Sequence, residues 1–383
     1  MSSKRILIVA GEASGDLHGA SLVRAMMRKN PGLSFYGVGG GRMREAGVDL
    51  WADAGNMAVV GLTEVLSKLR VILSVMSRLK KSMRFQKPDL VILIDYPDFN
   101  LPLARSAKKN GIPVFYYISP QIWAWRRGRI KTLGRVVDRM AVILPFEEPL
   151  YRKSGVDASF VGHPLLDAVQ VSSSRSETLR RLGLRDNVTT VALLPGSRKG
   201  EVTRLLPGML KAVRLIAGKI QPVQFLLPLA DTLDPAWMES RMQGVDVPEI
   251  RLVRGATYDA VAAADAAVVV SGTATLETAL LGTPLVVIYK VSALSYLIGR
   301  MLISVDHIGL VNIVAGKTVA PELIQHQANP ERIAAEVLAI LGDADRRRII
   351  KEELSQLREK LGRPGAARRA ADMALSLLQR PRG

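Results

Sequence analysis

The stretch Leu90–Ala104, "LVILIDYPDFNLPLA", is an apolar run that leads straight into two acids, Asp95 and Asp98, with Pro97 between them. Five apolar residues without alternation predict a strand buried on both faces, as in a parallel sheet covered by helices. Pro97 and Asn100 are expected to turn the chain, and Asp98 to cap a helix over Leu101–Asn110. Asp95 has no comparable structural task. It stands at the carboxyl end of the strand, where open α/β sheets bind their ligands. A carboxylate there, within reach of a hydroxyl and with a raised pKa, serves as a general base. The bland alternative is that both acids are turn and cap residues.

The same rhythm continues on either side. Apolar strands are predicted at Arg5–Ala10, Ser34–Val38, Val114–Ile118, Met140–Leu144 and Ser159–Val161, with a helix over Gly19–Lys29. "VGHPLLDAVQVSSSRSE", Val161–Glu177, contains a polar linker. The pattern then restarts at Thr190–Leu194, Val223–Leu227, Ile250–Val253, Ala266–Val270 and Pro284–Tyr289. This predicts an α/β protein with two Rossmann-like, doubly wound parallel-sheet domains facing a cleft. The expected boundaries are 1–163, 164–343 and a helical tail, 344–383, that crosses back to the first domain.

Bulk properties agree with that architecture. At roughly 100–200 residues per domain, 383 residues make about two domains. There is no cysteine, which removes disulfides and thiolate metal sites. The apolar run Ile6–Ala10 is shorter than a signal peptide requires, and Glu12 and Asp16 follow it at once. No stretch reaches the ~18 apolar residues of a membrane span. The 53 Lys and Arg against 35 Asp and Glu give a net charge of +18, which favours polyanionic partners.

Glycine-rich strand ends mark candidate sites. "VAGEASGDLHGA", Val9–Ala20, places Gly11, Gly15 and Gly19 between a strand and a helix. Such glycines allow a ligand close to backbone N–H groups. Glu12, Ser14 and Asp16 suit sugar hydroxyls better than phosphate, while Ser14 or Asp16 as a plain N-cap is the alternative. "GVGGGRM", Gly37–Met43, is a second such loop. In the second half, "VALLPGSRKGEV" offers Gly196, Ser197 and Arg198, the last able to grip a phosphate in bidentate fashion. "VVVSGTATLETALLGTPLVV" offers Ser271, Gly272, Thr273 and Thr275 at a helix start, with Glu277 one turn in. Together these fit a nucleoside diphosphate, with Glu277 near ribose hydroxyls; a capped helix is the alternative reading.

Two segments point to other partners. "YYISPQIWAWRRGRIKTLGR", Tyr116–Arg135, mixes aromatics with arginines, as a nucleic-acid surface or a phosphorylated small-molecule site would. In Leu62–Phe85 one helical face carries Leu62, Val65, Leu69, Ile72, Leu73, Met76, Leu79 and Met83, widened by Val71 and Val75 and flanked by bases. It reads equally as a core helix or as one lying on a membrane. The four histidines are scattered and no metal site is predicted.

The ordered motifs "AGEASGD..GA", "DYPDFN", "SPQIWAWR", "GHP", "LLPGSR..E" and "SGTATLE" resemble the lipid-A-disaccharide synthases, inverting glycosyltransferases. The resemblance spans Arg5 to about Gln325. It implies a GT-B fold and transfer from UDP-2,3-diacylglucosamine to the 6-hydroxyl of 2,3-diacylglucosamine 1-phosphate (lipid X). The products implied are a β-1,6 disaccharide 1-phosphate and UDP. It implies no cofactor, no metal and no nucleic-acid partner. It also implies peripheral attachment to the cytoplasmic face of a Gram-negative inner membrane, at an anionic lipid surface, and a possible homodimer exchanging C-terminal parts. On this resemblance Asn100, Ser119, Trp123 and Arg126 belong with the substrate, and Asn312 with the nucleotide. Where the family has Pro-Asn, this chain has Val311-Asn312. Another UDP-sugar enzyme of this architecture, such as a UDP-N-acetylglucosamine epimerase, and a basic nucleic-acid-binding protein are the rival readings.

Overall fold

The computed structural model describes residues 4–54, 62–121, 127–243, 248–292, 296 and 306–379. The chain forms two compact units, Met1–Leu166 with Leu361–Gly383, and Asp167–Lys360. In the first, seven strands lie in the order β3-β2-β1-β4-β5-β6-β7. They are β1 (Lys4–Ala10), β2 (Leu33–Gly39), β3 (Val48–Asp53), β4 (Leu90–Ile94), β5 (Val114–Tyr117), β6 (Arg139–Val142) and β7 (Ala158–Phe160). In the second, six strands lie in the order β10-β9-β8-β11-β12-β13. These are β8 (Thr189–Leu194), β9 (Val223–Pro228), β10 (Ile250–Val253), β11 (Ala266–Val270), β12 (Leu285–Tyr289) and β13 (Glu322–Ile324). Every neighbouring pair is parallel. Both units are therefore doubly wound α/β sheets, the fold class expected.

The apolar runs explain the layering. Along β1 and β4, Leu7, Val9, Val91 and Leu93 face one side, with helices Leu62–Phe85 and Pro97–Lys109. Ile6, Ile8, Ile92 and Ile94 face the other, with helices Ala13–Lys29 and Ala366–Leu378. The two-residue period of a strand sends successive side chains to opposite faces, so a strand between two helix layers must be apolar throughout. Each such side chain, fully buried, contributes roughly 1.5–3 kcal/mol.

The tail divides. Helix Ala344–Lys360 stays with the second unit, while Ala366–Leu378 packs on helix Ala13–Lys29 of its own chain through Ala366, Ala370, Ala371 and Ala374.

In each sheet the strand order reverses once near the middle, between β1 and β4 and between β8 and β11. Register then fixes which loops are neighbours. Ala10 pairs with Ile94, so Gly11 and Asp95 emerge side by side. Leu194 pairs with Val269, so the Gly196 and Ser271 loops do the same. Both pairs leave the carboxyl edge at a topological switch point, the usual ligand crevice of such sheets.

Candidate active site

In the first unit the backbone around Asp95 is tightly specified. Asp95, Tyr96 and Ile118 have φ of +44°, +46° and +62°. Left-handed backbone at a non-glycine residue costs of order 1–3 kcal/mol and persists only where the surroundings over-determine it. Here they do. The Asp95 N–H points at the Tyr117 and Ile118 carbonyls, at 3.4 and 3.3 Å. The Asp95 carbonyl accepts from Asn100 Nδ2 at 2.7 Å and from the Tyr116 hydroxyl. These bonds all go to the backbone of Asp95 and leave its side-chain carboxyl out of them. Burial, with the Glu12 charge adding to it, pushes its pKa up to about 6, against a hydrogen bond from the Tyr96 N–H.

Two local expectations are corrected. The helix begins at Pro97, not Leu101, and its N-cap position is Tyr96, which makes no side-chain cap bond. Proline suits that first position because the N–H it lacks would be unpaired there anyway. Asp98 therefore lies inside the first turn instead of capping it, and Arg129 Nη1 contacts its carboxylate at 2.6 Å. Asn100 is not a turn residue. It is fully buried in the helix, and its amide also donates to the Ile94 carbonyl at 3.1 Å, tying helix to strand.

Glu12 and Ser14 are exposed at the start of helix Ala13–Lys29, and Gly11 and Gly15 are buried beneath them. Gly11 is required by close approach, since a Cβ there would fall 2.2 Å from Tyr96 Cδ1. Gly11→Ala is expected to displace the Tyr96 ring, cost about 1–3 kcal/mol of stability, and lower activity through the neighbouring Asp95; thermal melting and turnover of the variant check this. Asp16, expected among the substrate-binding residues, instead accepts from the backbone N–H groups of Gly40, Arg42 and Met43 at 2.7, 3.1 and 3.0 Å. It locks the two glycine-rich loops together. Ser119 is also engaged: its hydroxyl donates to Glu147 Oε1 at 2.5 Å, and Glu147 Oε2 accepts from the Leu144 N–H at 3.0 Å. Nothing in the sequence distinguishes Glu147, 1% exposed, from its neighbour Glu148. Trp123 and Arg126 lie outside the described residues. His18 and His163, far apart in sequence, come close enough to interact, and burial draws their pKa values down to about 4 and about 3, leaving neutral imidazoles.

In the second unit a cavity of about 320 Å³ is lined by Gly196, Ser197, Arg198, Ser271, Gly272, Thr273 and Glu277, among others. Gly196 has a φ of +113°, and its Cβ would fall 2.6 Å from Glu201 Oε2. Arg198 Nη1 contacts Glu201 Oε1 at 3.1 Å on the surface, a weak pair that an incoming phosphate can displace. Gly272 precedes helix Thr273–Leu280, and Gly272, Thr273 and Ala274 at the start of that helix line the cavity. Glu277 Oε1 accepts from the Tyr258 hydroxyl at 3.0 Å. A second cavity of about 400 Å³ shares Ala230, Thr257 and Glu277 with the first.

Two residues expected at the nucleotide face elsewhere. Thr275 is buried and its hydroxyl donates to the Gly272 carbonyl at 2.8 Å, inside its own helix. Asn312 is buried with its amide fully engaged. Its Nδ2 donates to the Ala320 carbonyl and Glu322 Oε1, both at 2.8 Å, and its Oδ1 accepts from the N–H groups of Val319 and Ala320 at 2.8 and 2.9 Å. Among the described residues no group of three or more His, Cys, Asp or Glu is placed to hold a metal ion.

Comparisons with known proteins are consistent with this layout. The family model described as Lipid-A-disaccharide synthetase matches residues 6–377. The lipid-A-disaccharide synthase of Syntrophus aciditrophicus is 78% identical over 380 residues, 99% of each chain. That of Trichlorobacter lovleyi is 52% identical over 376 residues, 98% of each chain. Among solved structures, a putative UDP-N-acetylglucosamine 2-epimerase from Listeria monocytogenes gives a TM-score of 0.64, covering 96% of this chain and 95% of that one. At 16% identity that likeness shows a shared fold alone. Matched along nearly its whole length in sequence, the chain belongs to the lipid-A-disaccharide synthase family.

Proposed function

We propose that the protein transfers the 2,3-diacylglucosaminyl group of UDP-2,3-diacylglucosamine to the 6-hydroxyl of 2,3-diacylglucosamine 1-phosphate, with inversion. The acceptor oxygen forms the new bond to the anomeric carbon, the bond to UDP breaks, and Asp95 takes the hydroxyl proton. The observation that carries this role is a half-buried carboxyl with its pKa near 6, held on a strained backbone at a topological switch point. A base with its pKa just below working pH is ionised yet still basic. Glu12 and Ser14 are the exposed groups of the adjoining loop that would meet the acceptor sugar.

On the donor side, Arg198, Ser197 and the first N–H groups of helix Thr273–Leu280 would receive the diphosphate, and Glu277 the ribose. Arginine and a helix N-terminus supply positive charge where UDP departs, so no divalent ion is required. Turnover unchanged by EDTA is the expected result.

The helix Leu62–Phe85 would meet an anionic lipid surface. Its inner side is anchored in the core by Leu79 and Met83, with Ile72, Val75 and Met76 packed beside them. Leu69, Val71 and Leu73, 40–57% exposed, stand outward with Arg70, Arg78, Lys80 and Lys81. Leu69 and Leu73 thus leave the face that helical spacing assigned to them, and Val75 joins the core. Among the described residues no helix is long and apolar enough to cross a membrane. Val71→Ser with Leu73→Ser is expected to weaken sedimentation with anionic vesicles several-fold, whereas Val75→Ser mainly lowers the melting temperature. Unchanged sedimentation of the double variant would remove this helix from the contact.

The test of the whole reading is UDP release in detergent from UDP-2,3-diacylglucosamine, with and without lipid X. Release only with lipid X, accompanied by a disaccharide phosphate in the mass spectrum, is expected. Release without lipid X would point to hydrolysis or epimerisation instead.

A further inference from the structure

Resting on the reading of the second unit as the UDP site, we propose that Tyr258 is a positioning residue: its hydroxyl holds one oxygen of Glu277 so that the other is presented to the ribose hydroxyls. Tyr258 enters from helix Thr257–Ala262 and Glu277 from helix Thr273–Leu280, the helix whose N-terminus opens on the first cavity. The two side chains meet at 3.0 Å. Glu277 lines both cavities, the one at the Arg198 loop and the one at the Tyr258 loop, so it stands where they join. In a nucleoside diphosphate the ribose is the piece between phosphate and base. A carboxylate at the junction therefore meets the vicinal diol.

An ionised carboxylate offers about four acceptor sites over two oxygens. Tyr258 occupies one on Oε1 and stops the group from rotating, which leaves Oε2 for the diol. Burial works against this arrangement because it raises the pKa of Glu277, and the Tyr258 hydrogen bond works the other way. Of the other charged groups around Glu277, Arg198, Glu201, Asp259 and Arg358 are engaged elsewhere. Arg198 and Glu201 pair with each other in the first cavity. In the second, Asp259 accepts from Ser172 and Arg181, and Asp231 lines the wall. From the helix packed behind, Arg358 donates to the Leu280 carbonyl at 3.1 Å. Tyr258 thus both aims Glu277 and helps to keep it charged.

The test is calorimetric binding of UDP and of 2′-deoxy-UDP to the full chain and to Tyr258→Phe, which removes a single oxygen. The variant is expected to bind UDP roughly tenfold more weakly, as for loss of a hydrogen bond to a charged group, and to bind 2′-deoxy-UDP, which lacks the diol, nearly as the wild type does. In a Glu277→Gln background Tyr258→Phe should change UDP affinity less than about twofold, because the carboxylate it positions is gone. An equal loss for UDP and 2′-deoxy-UDP, or an undiminished loss without the Glu277 carboxylate, would overturn the role of Tyr258. Wild-type protein that fails to bind UDP would instead overturn the donor-site reading on which it rests.

Discussion

Asp95→Asn is expected to lower turnover by about 10²–10⁴, the range for loss of a general base, with little change in UDP affinity. The substitution is mild in every other respect. Asparagine tolerates left-handed backbone better than most residues, so the φ of +44° is kept. The Asn100 and Tyr116 hydrogen bonds go to the backbone carbonyl of residue 95, not to its side chain, and they survive. Only the capacity to take a proton is lost. Asp98→Asn is the control. It removes a carboxylate that lies exposed against Arg129, and is expected to cost less than about tenfold. The reverse order of effects, with Asp98→Asn the more damaging, would move the base to Asp98.

The pKa makes the assignment checkable in two further ways. Since the base acts when ionised, kcat/KM should fall on the acid side with a midpoint near 6. Stability should respond with the opposite sign to activity. The carboxyl ionises near 3.8 when unfolded and near 6 when folded, so the folded chain binds more protons between these values. Asp95 therefore costs nothing below the unfolded value and destabilises as pH rises through the folded one, by at most about 3 kcal/mol. Asp95→Asn should accordingly melt higher than wild type at pH 7–8, with the gain fading toward pH 4. A variant that is inactive and also less stable at neutral pH would speak for a structural carboxylate.

What the sequence made legible follows from which physics is local. All eleven predicted strands exist, because a strand buried on both faces must be apolar throughout. The two that escaped notice, β3 and β13, are edge strands. "VDLWAD" carries acids and is mostly half-buried, and "ELI" is three residues long with a carboxylate in it. Edge strands keep polar residues to discourage pairing with other chains, which erases the apolar signal. Site residues divide in the same way. The placement of Asp95, Gly196 and Ser271 beside the switch points was legible because they lie at or just past strand ends. Asp16, Ser119 and Thr275 have the right chemistry at the right spacing, yet each hydrogen-bonds within the protein. For Asp16 and Ser119 only tertiary contact with the 40–43 loop and with Glu147 reveals it, and for Thr275 only the geometry of its own helix start. Glu147 and Tyr258 carry no signal, since an acid or phenol engaged by a neighbour is identical in sequence to a free one.

Asn312→Leu tests that distinction where it is sharpest. If Asn312 served the nucleotide, its loss would weaken UDP binding and leave the melting temperature alone. Its four hydrogen bonds predict the converse. Leucine has the same number and branching of side-chain heavy atoms, so the site stays filled, but the N–H groups of Val319 and Ala320 and the Ala320 carbonyl lose their partners. Glu322 loses a donor, and it also accepts from the N–H groups of Ile308 and Gly309 at 2.9 and 3.0 Å. Each buried polar group left without a partner costs about 1–3 kcal/mol, and neighbouring losses of this kind are not additive. A total of about 3–5 kcal/mol is expected, against the 5–15 kcal/mol that holds a typical domain. Ser271 donates to the Ile308 carbonyl at 2.9 Å, so loosening this knot should reach the donor loop. Calorimetric melting should show the loss, and saturating UDP should restore part of it by binding only the folded form. An unshifted melt with tenfold weaker UDP binding would return Asn312 to the nucleotide.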